Sequence, residues 1–153
     1  YNLGLFYRHR KDLGLSFKQE KGEGVNQGKK EAVKWYLKAA EQGLARAQNN
    51  LGVMYAKGEG TSQDKKEAVK WYRKAAEQGY APAQVNLGLM YYSGDVVTKD
   101  NVYAHMWWNI SASTGDENAL ENIDIVEKKM TSAEISKAQQ LKLECVEKQY
   151  KGC

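Results

Sequence analysis

Cysteine and histidine are scarce, with 2 of each in 153 residues. That leaves too few soft ligands for a structural zinc site. Long hydrophobic runs are missing too: apolar stretches last only a few residues, which excludes a transmembrane helix. No sign of charge dominates, since 23 basic residues face 19 acidic ones for a net charge of +4. The two signs are interspersed, so nucleic acid is not an expected partner. No H-E-x-x-H, Walker or G-x-G-x-x-G motif occurs, nor a G-x-S-x-G elbow or an EF-hand loop. No catalytic residue, metal or cofactor is therefore expected. The chain opens at Tyr1 rather than Met, without a charged segment leading into an apolar one. This reads as a removed leader or as a piece of a longer protein. What is present suffices for a core: 42% of residues are apolar, which argues against disorder throughout.

The chain repeats itself. Residues 21–43 read KGEGVNQGKKEAVKWYLKAAEQG and residues 57–79 read KGEGTSQDKKEAVKWYRKAAEQG, identical at 19 of 23 positions with an offset of 36. A diverged third copy continues at the same offset. Trp35-Tyr36 and Trp71-Tyr72 become Trp107-Trp108, and Gly43, Gly79 and Gly115 align. Leu51-Gly52 recurs as Leu87-Gly88, and Ala47, Ala83 and Ala119 align.

Each unit holds two helical patterns. In the first, Ala47, Leu51 and Tyr55 fall at i, i+4, i+8 beside Met54, so one face is apolar. In the second, Ala68, Trp71, Tyr72, Ala75 and Ala76 mark a buried stripe. Asp64 with Glu67 three residues on predicts a capping box. Lys57-Gly58-Glu59-Gly60 separates the two helices. Gly79 suits the left-handed position that ends the second, and Pro82 the start of the next. Gly52 and Gly88 lie inside predicted helices, where glycine costs about 1 kcal/mol against alanine. Close approach of a neighbouring helix is the expected compensation. One such αα-hairpin cannot bury its aromatic face alone, so successive hairpins must stack.

The pattern resembles the Sel-1-like repeat, a relative of the tetratricopeptide repeat. Its residues here are Leu51, Gly52, Tyr55, Gly58, Gly60, Asp64, Ala68, Trp71, Tyr72, Lys74, Ala75, Ala76 and Gly79. The resemblance covers roughly residues 13–122. It implies an all-α fold, a right-handed α-solenoid of stacked αα-hairpins, with a non-enzymatic role in binding a protein or peptide. Members are often bacterial and exported, which implies a periplasmic or secreted location. Some neutralise secreted antibacterial effectors as immunity proteins, and others bind host proteins as virulence factors. Cysteine-rich relatives have been linked to β-lactam compounds, which would make a small-ligand enzyme. This chain lacks their repeated paired cysteines.

A single repeat domain over 1–153 is expected: an irregular extra first-helix segment (1–12), repeats at 13–50, 51–86 and 87–122, and a C-terminal cap (123–153). The first repeat carries two extra residues before Gly22, and Leu3-Gly4 with Tyr7 resembles another first-helix motif. Gly28 stands where Asp64 caps the second copy, and Val96 where Gly60 makes the turn. Thr131-Ser132-Ala133-Glu134 is a second capping box. It opens a terminal helix marked by Ile135, Ala138, Leu141 and Val146, polar elsewhere, as a solenoid cap needs. Cys145 and Cys153 are either two free thiols or a disulfide returning the tail to that helix. A straight helix would hold residues eight apart at about 12 Å, too far for a bridge. The even cysteine count and the exported-family resemblance favour the bridge.

The remaining candidates have bland readings. Trp35, Trp71, Trp107 and Trp108 recur at a structural position and suit core packing better than a ligand platform. His105 aligns with Val69, near the core edge. His9, within Arg8 to Lys11, belongs to a solvated basic cluster. The Asp116-Glu117 pair favours a helix start. The family likeness places partner contacts on the first helix of each hairpin, flanking the Leu-Gly leucine and lining a concave groove. These positions are Asn49, Val53 and Ala56, then Val85, Leu89 and Tyr92. Lys11 and Leu15 are the comparable residues at the N-terminal end, and Glu121 and Ile125 those at the other. Val85, Leu89 and Tyr92 make an apolar stripe off the buried one, which needs a partner or another packing surface. A monomer without membrane insertion is expected.

Overall fold

The computed structural model describes residues 23–153, and these form seven α-helices with no strand among them. The helices are α1 (Glu23–Glu41), α2 (Ala45–Lys57), α3 (Lys65–Ala76), α4 (Ala81–Ser93), α5 (Asn101–Ala112), α6 (Glu117–Glu127) and α7 (Ser132–Glu147). The fold is all-α, a solenoid of αα-hairpins. Leu3-Gly4, Tyr7, His9, Lys11 and Leu15, for which the sequence raised expectations, lie outside the described residues. The chain divides into two units with the boundary between Trp71 and Tyr72, inside α3.

Helix ends follow side-chain chemistry. Asp64 Oδ1 accepts the Glu67 N–H at 2.9 Å. The Glu67 carboxylate pairs with Lys70 at 2.9 Å. Asp64 therefore caps as expected, while Glu67 serves the neighbouring turn. In the first copy the turn counterpart is helical, because α1 already runs from Glu23. Gly28 is a buried residue within α1 rather than a cap. It has no side-chain acceptor, so the device that starts α3 at Lys65 is missing there. Asp100 accepts from the N–H groups of Val102 and Tyr103, and Asp116 from that of Ala119. Thr131 and Glu134 form the expected reciprocal capping box. Hydrogen bonds from the Thr131 backbone and hydroxyl hold the Glu134 carboxyl below its ordinary pKa.

Two backbone motifs repeat faithfully. Gly43 and Gly79 end helices with paired bonds: Gly79 N–H to Ala76 at 2.9 Å and Tyr80 N–H to Ala75 at 3.2 Å, matched by Gly43 to Ala40 and Leu44 to Ala39. Both are Schellman closures. Gln48 Nε2 donates to the Ala40 carbonyl at 3.1 Å, and Gln84 Nε2 to that of Ala76 at 3.2 Å. Each buried glutamine thus ties a first helix to the end of the helix before it. The third copy has Leu120 there, 53% exposed.

In the first unit, Ala32, Tyr36 and Ala40 of α1 meet Ala47, Leu51 and Met54 of α2, with Trp71 against the same cluster. The turn after α2 is closed by an Asp64 N–H to Tyr55 carbonyl bond of 2.9 Å. Gly60 sits within it at φ +72°, and an added Cβ would stand 2.4 Å from the Lys29 backbone. Gly60→Ala should therefore destabilise by about 1–2 kcal/mol from the left-handed backbone alone. A urea melt checks this, and an unchanged midpoint would contradict it. In the third copy Val96 takes this place without a left-handed backbone. The turn differs inside, yet the equivalent Asp100 N–H to Tyr91 bond still closes it at 3.0 Å.

The second unit is organised around α5, which packs against α4, α6 and α7. Its residues Ala104 to Trp108, Ile110 and Ser111 are all buried. Trp108 Nε1 donates to the Val85 carbonyl at 3.1 Å, and Ser111 Oγ to that of Ala81 at 3.1 Å. Both bonds run from α5 to α4. Gly88 is the expected site of close approach: a Cβ there would lie 2.5 Å from Trp108 Nε1. His105 is fully buried, deeper than the core edge expected for it. Its Nε2 lies 2.7 Å from Glu127 Oε1, and its Nδ1 3.0 Å from Asn109 Nδ2. Trp71, Trp107 and Trp108 are buried as expected, whereas Trp35 is half-buried with Lys38 Nζ 4.9 Å from its ring centroid. Burial pushes the Tyr72 hydroxyl pKa up to about 12.

Helix α7 buries Ala138 and Cys145, while Val146 is 43% exposed. Cys145 rather than Val146 takes the inward position, because it bonds to Cys153 with the Cα atoms 5.6 Å apart. The chain reverses through Gln149 (φ 54°), Tyr150 (φ 66°) and Gly152 (φ 69°). The Tyr150 N–H closes on the Cys145 carbonyl at 2.8 Å, and its ring lies against Gly79.

Candidate partner-binding face

The expected contact positions fall into three groups. Asn49 and Val85 are buried, at 6% and 9% exposure. Val85 belongs to the core formed with Ala104, Trp108, Ala119 and Val126. The places of Asn49 and Val85 in an open groove are therefore corrected: both side chains are buried, and for Val85 the Trp108 indole covers this turn of α4. Val53 and Ala56 are half-buried on α2, in the first unit. Leu89 (38%), Ile125 (48%) and Glu121 are exposed.

Tyr92 is half-buried and links the third group to the core. Its ring packs 5.7 Å from that of Trp108. Its hydroxyl accepts a hydrogen bond from Lys129 Nζ. Lys129 Nζ also stands 4.8 Å from the ring centroid, and Lys99 Nζ 5.7 Å from it. The Lys99 separation is a cation–π distance, whereas Lys129 sits at the hydroxyl edge of the ring. Leu89 lies one turn before Tyr92 on α4, and Ile125 one turn before Lys129 at the end of α6. Tyr92 is thus an aromatic ring contacted by two ammonium groups, one turn along α4 from exposed Leu89, with Ile125 exposed on α6. Sequence spacing gave no sign of the lysines, which reach Tyr92 from separate loops. No group of three or more His, Cys, Asp or Glu among the described residues is arranged to hold a metal. No helix among them is long and apolar enough to cross a membrane.

Repeated αα-hairpins define a scaffold of the solenoid class. The chain belongs to the Sel1 repeat family, whose profile matches residues 12–44, 45–80 and 81–116. Proteins built from Sel1 repeats generally mediate protein–protein interaction, and their fold is a typical non-enzymatic scaffold. The chain is similar to a protective antigen of uropathogenic Escherichia coli strains that displays an SLR fold. That likeness covers 97% of this chain at 34% identity with a TM-score of 0.80. It is also similar to a Sel1 repeat protein from Oxalobacter formigenes, over 81% of its length at 38% identity with a TM-score of 0.64. The chain spans 30% of the first protein's length and 49% of the second's. No curated protein matches it.

Proposed function

We propose that this chain is a non-enzymatic binding module that holds a protein or peptide partner against Leu89, Tyr92 and Ile125, with Glu121 at the rim. The observation that carries the reading is the exposure of Leu89 one turn from Tyr92, a ring already packed on core Trp108, with Ile125 exposed on α6. Binding hot spots are enriched in tyrosine among other residues, and Tyr92 is such a residue with its ring already packed on Trp108. We further propose a periplasmic or extracellular location and action as a monomer. The Cys145–Cys153 bridge supports the location, because such bonds persist in oxidising compartments. A secreted effector neutralised by the chain and a host protein engaged by it are both partners of this kind.

The test is capture from periplasmic and extracellular extracts with the natural chain and with Leu89→Glu/Ile125→Glu. Both substitutions fall on exposed positions, so helical content should be unchanged. A stoichiometric partner held by the natural chain should bind the variant at least about tenfold more weakly, as loss of a hot spot demands. Equal capture by both would remove this face from consideration.

A further inference from the structure

The two lysines on Tyr92 carry the reading further. Lys99 and Lys129 converge on one ring from loops that precede α5 and follow α6. Neither forms an ion pair with a carboxylate of the described residues. One oxygen of the Glu127 carboxylate, two residues before Lys129, contacts His105 at 2.7 Å. Lys129 is positioned further by its bond to the Tyr92 hydroxyl. An ammonium group has three donors, and one such bond leaves the others available. Two cations therefore meet Tyr92 without an ion pair among the described residues, one turn along α4 from exposed Leu89.

Resting on the proposed binding face, we infer that its partner presents a carboxylate next to an aliphatic side chain. The carboxylate docks on Lys99 and Lys129 beside Tyr92, and the aliphatic side chain against Leu89 and Ile125. Positioned lysines lose less side-chain freedom on binding than free ones. They also leave a mismatched partner with two unpaired charges, which gives selectivity. A polyanion such as nucleic acid fits less well. Exposed Glu121 and Asp124 line the same helix as Ile125, and they would repel a continuous phosphate backbone.

The test uses two capped, otherwise neutral peptides in which leucines flank a single central residue, aspartate in one and asparagine in the other. Each is titrated into the isotopically labelled chain and followed by NMR. The aspartate peptide should bind about five- to tenfold more tightly, as expected for two exposed ion pairs. It should shift the signals of Tyr92, Lys99 and Lys129. Lys99→Gln/Lys129→Gln should lower its affinity to that of the asparagine peptide. Equal affinities, or a preference that survives the lysine substitutions, would overturn the inference. So would a single-stranded oligonucleotide that binds more tightly and displaces the peptide, or a dimer of the chain that forms through this face and excludes it. The captured partner separates the two proposals. Binding lost with Leu89→Glu/Ile125→Glu but kept with Lys99→Gln/Lys129→Gln would leave the face standing and remove its carboxylate preference. Binding kept by both variants would remove the face itself.

Discussion

Trp108→Ala is expected to lower the unfolding free energy by about 3–5 kcal/mol, as for other large-to-small core changes. The residue is 1% exposed and packs with Val85, Ala104, Ala119 and Val126. Its removal leaves a cavity between α4, α5 and α6, and it abolishes the indole bond to the Val85 carbonyl. Tyr92 would also lose the ring it leans on. A urea melt followed by far-UV circular dichroism measures the loss. A cost below about 1 kcal/mol would mean that this cluster is not the core of its unit.

Gly88 is the other half of that contact. Alanine there would gain about 1 kcal/mol of helix propensity. Against this, its Cβ would meet the buried indole at 2.5 Å. Overpacking costs about 1–3 kcal/mol, and the lost indole hydrogen bond about 1 more. The cost wins, so Gly88→Ala should destabilise by about 1–3 kcal/mol. In Trp108→Ala the clash is absent, and the same substitution should become neutral or stabilising. A double-mutant cycle measures this coupling. Simple additivity would contradict the close approach.

Removing the Cys145–Cys153 bridge is the second large effect. Freeing a loop of this length in the unfolded chain costs about 2.5 kcal/mol in the loop-entropy account. Cys153→Ser should therefore lower stability by about that amount. It should also release Tyr150 from Gly79, since Gln149 and Tyr150 hold left-handed backbones without the freedom of glycine. Reduction with a thiol should act on the natural chain and leave Cys153→Ser unmoved. A natural chain equally stable in both redox states would show that the tail is held by other contacts.

The 36-residue offset made the hairpins, their capping aspartates and the glycine stops legible in the sequence, because each depends on residues close along the chain. Gly88 was legible as a close approach, though not its partner Trp108, which arrives from another helix. Gly28 misled: a missing cap reads as a weak boundary, but α1 continues through it. Val85 misled in another way. Its register matches Leu89 and Tyr92, yet an indole bonded 23 residues away covers its turn of α4. The lysines at Tyr92 had no sequence signal, since Lys129 and Tyr92 are 37 residues apart and meet only through the packing of α4, α5 and α6. The glutamines at 48 and 84 did have one, the repeated Ala-Gln pair that begins each first helix.

The most direct measurement is hydroxyl-radical footprinting of the chain with and without its captured partner. Leu89, Tyr92 and Ile125 should lose labelling together on binding, while exposed Leu143 on α7 keeps it. Unchanged labelling at those three residues, with protection appearing elsewhere, would contradict the assignment of this face as the binding surface.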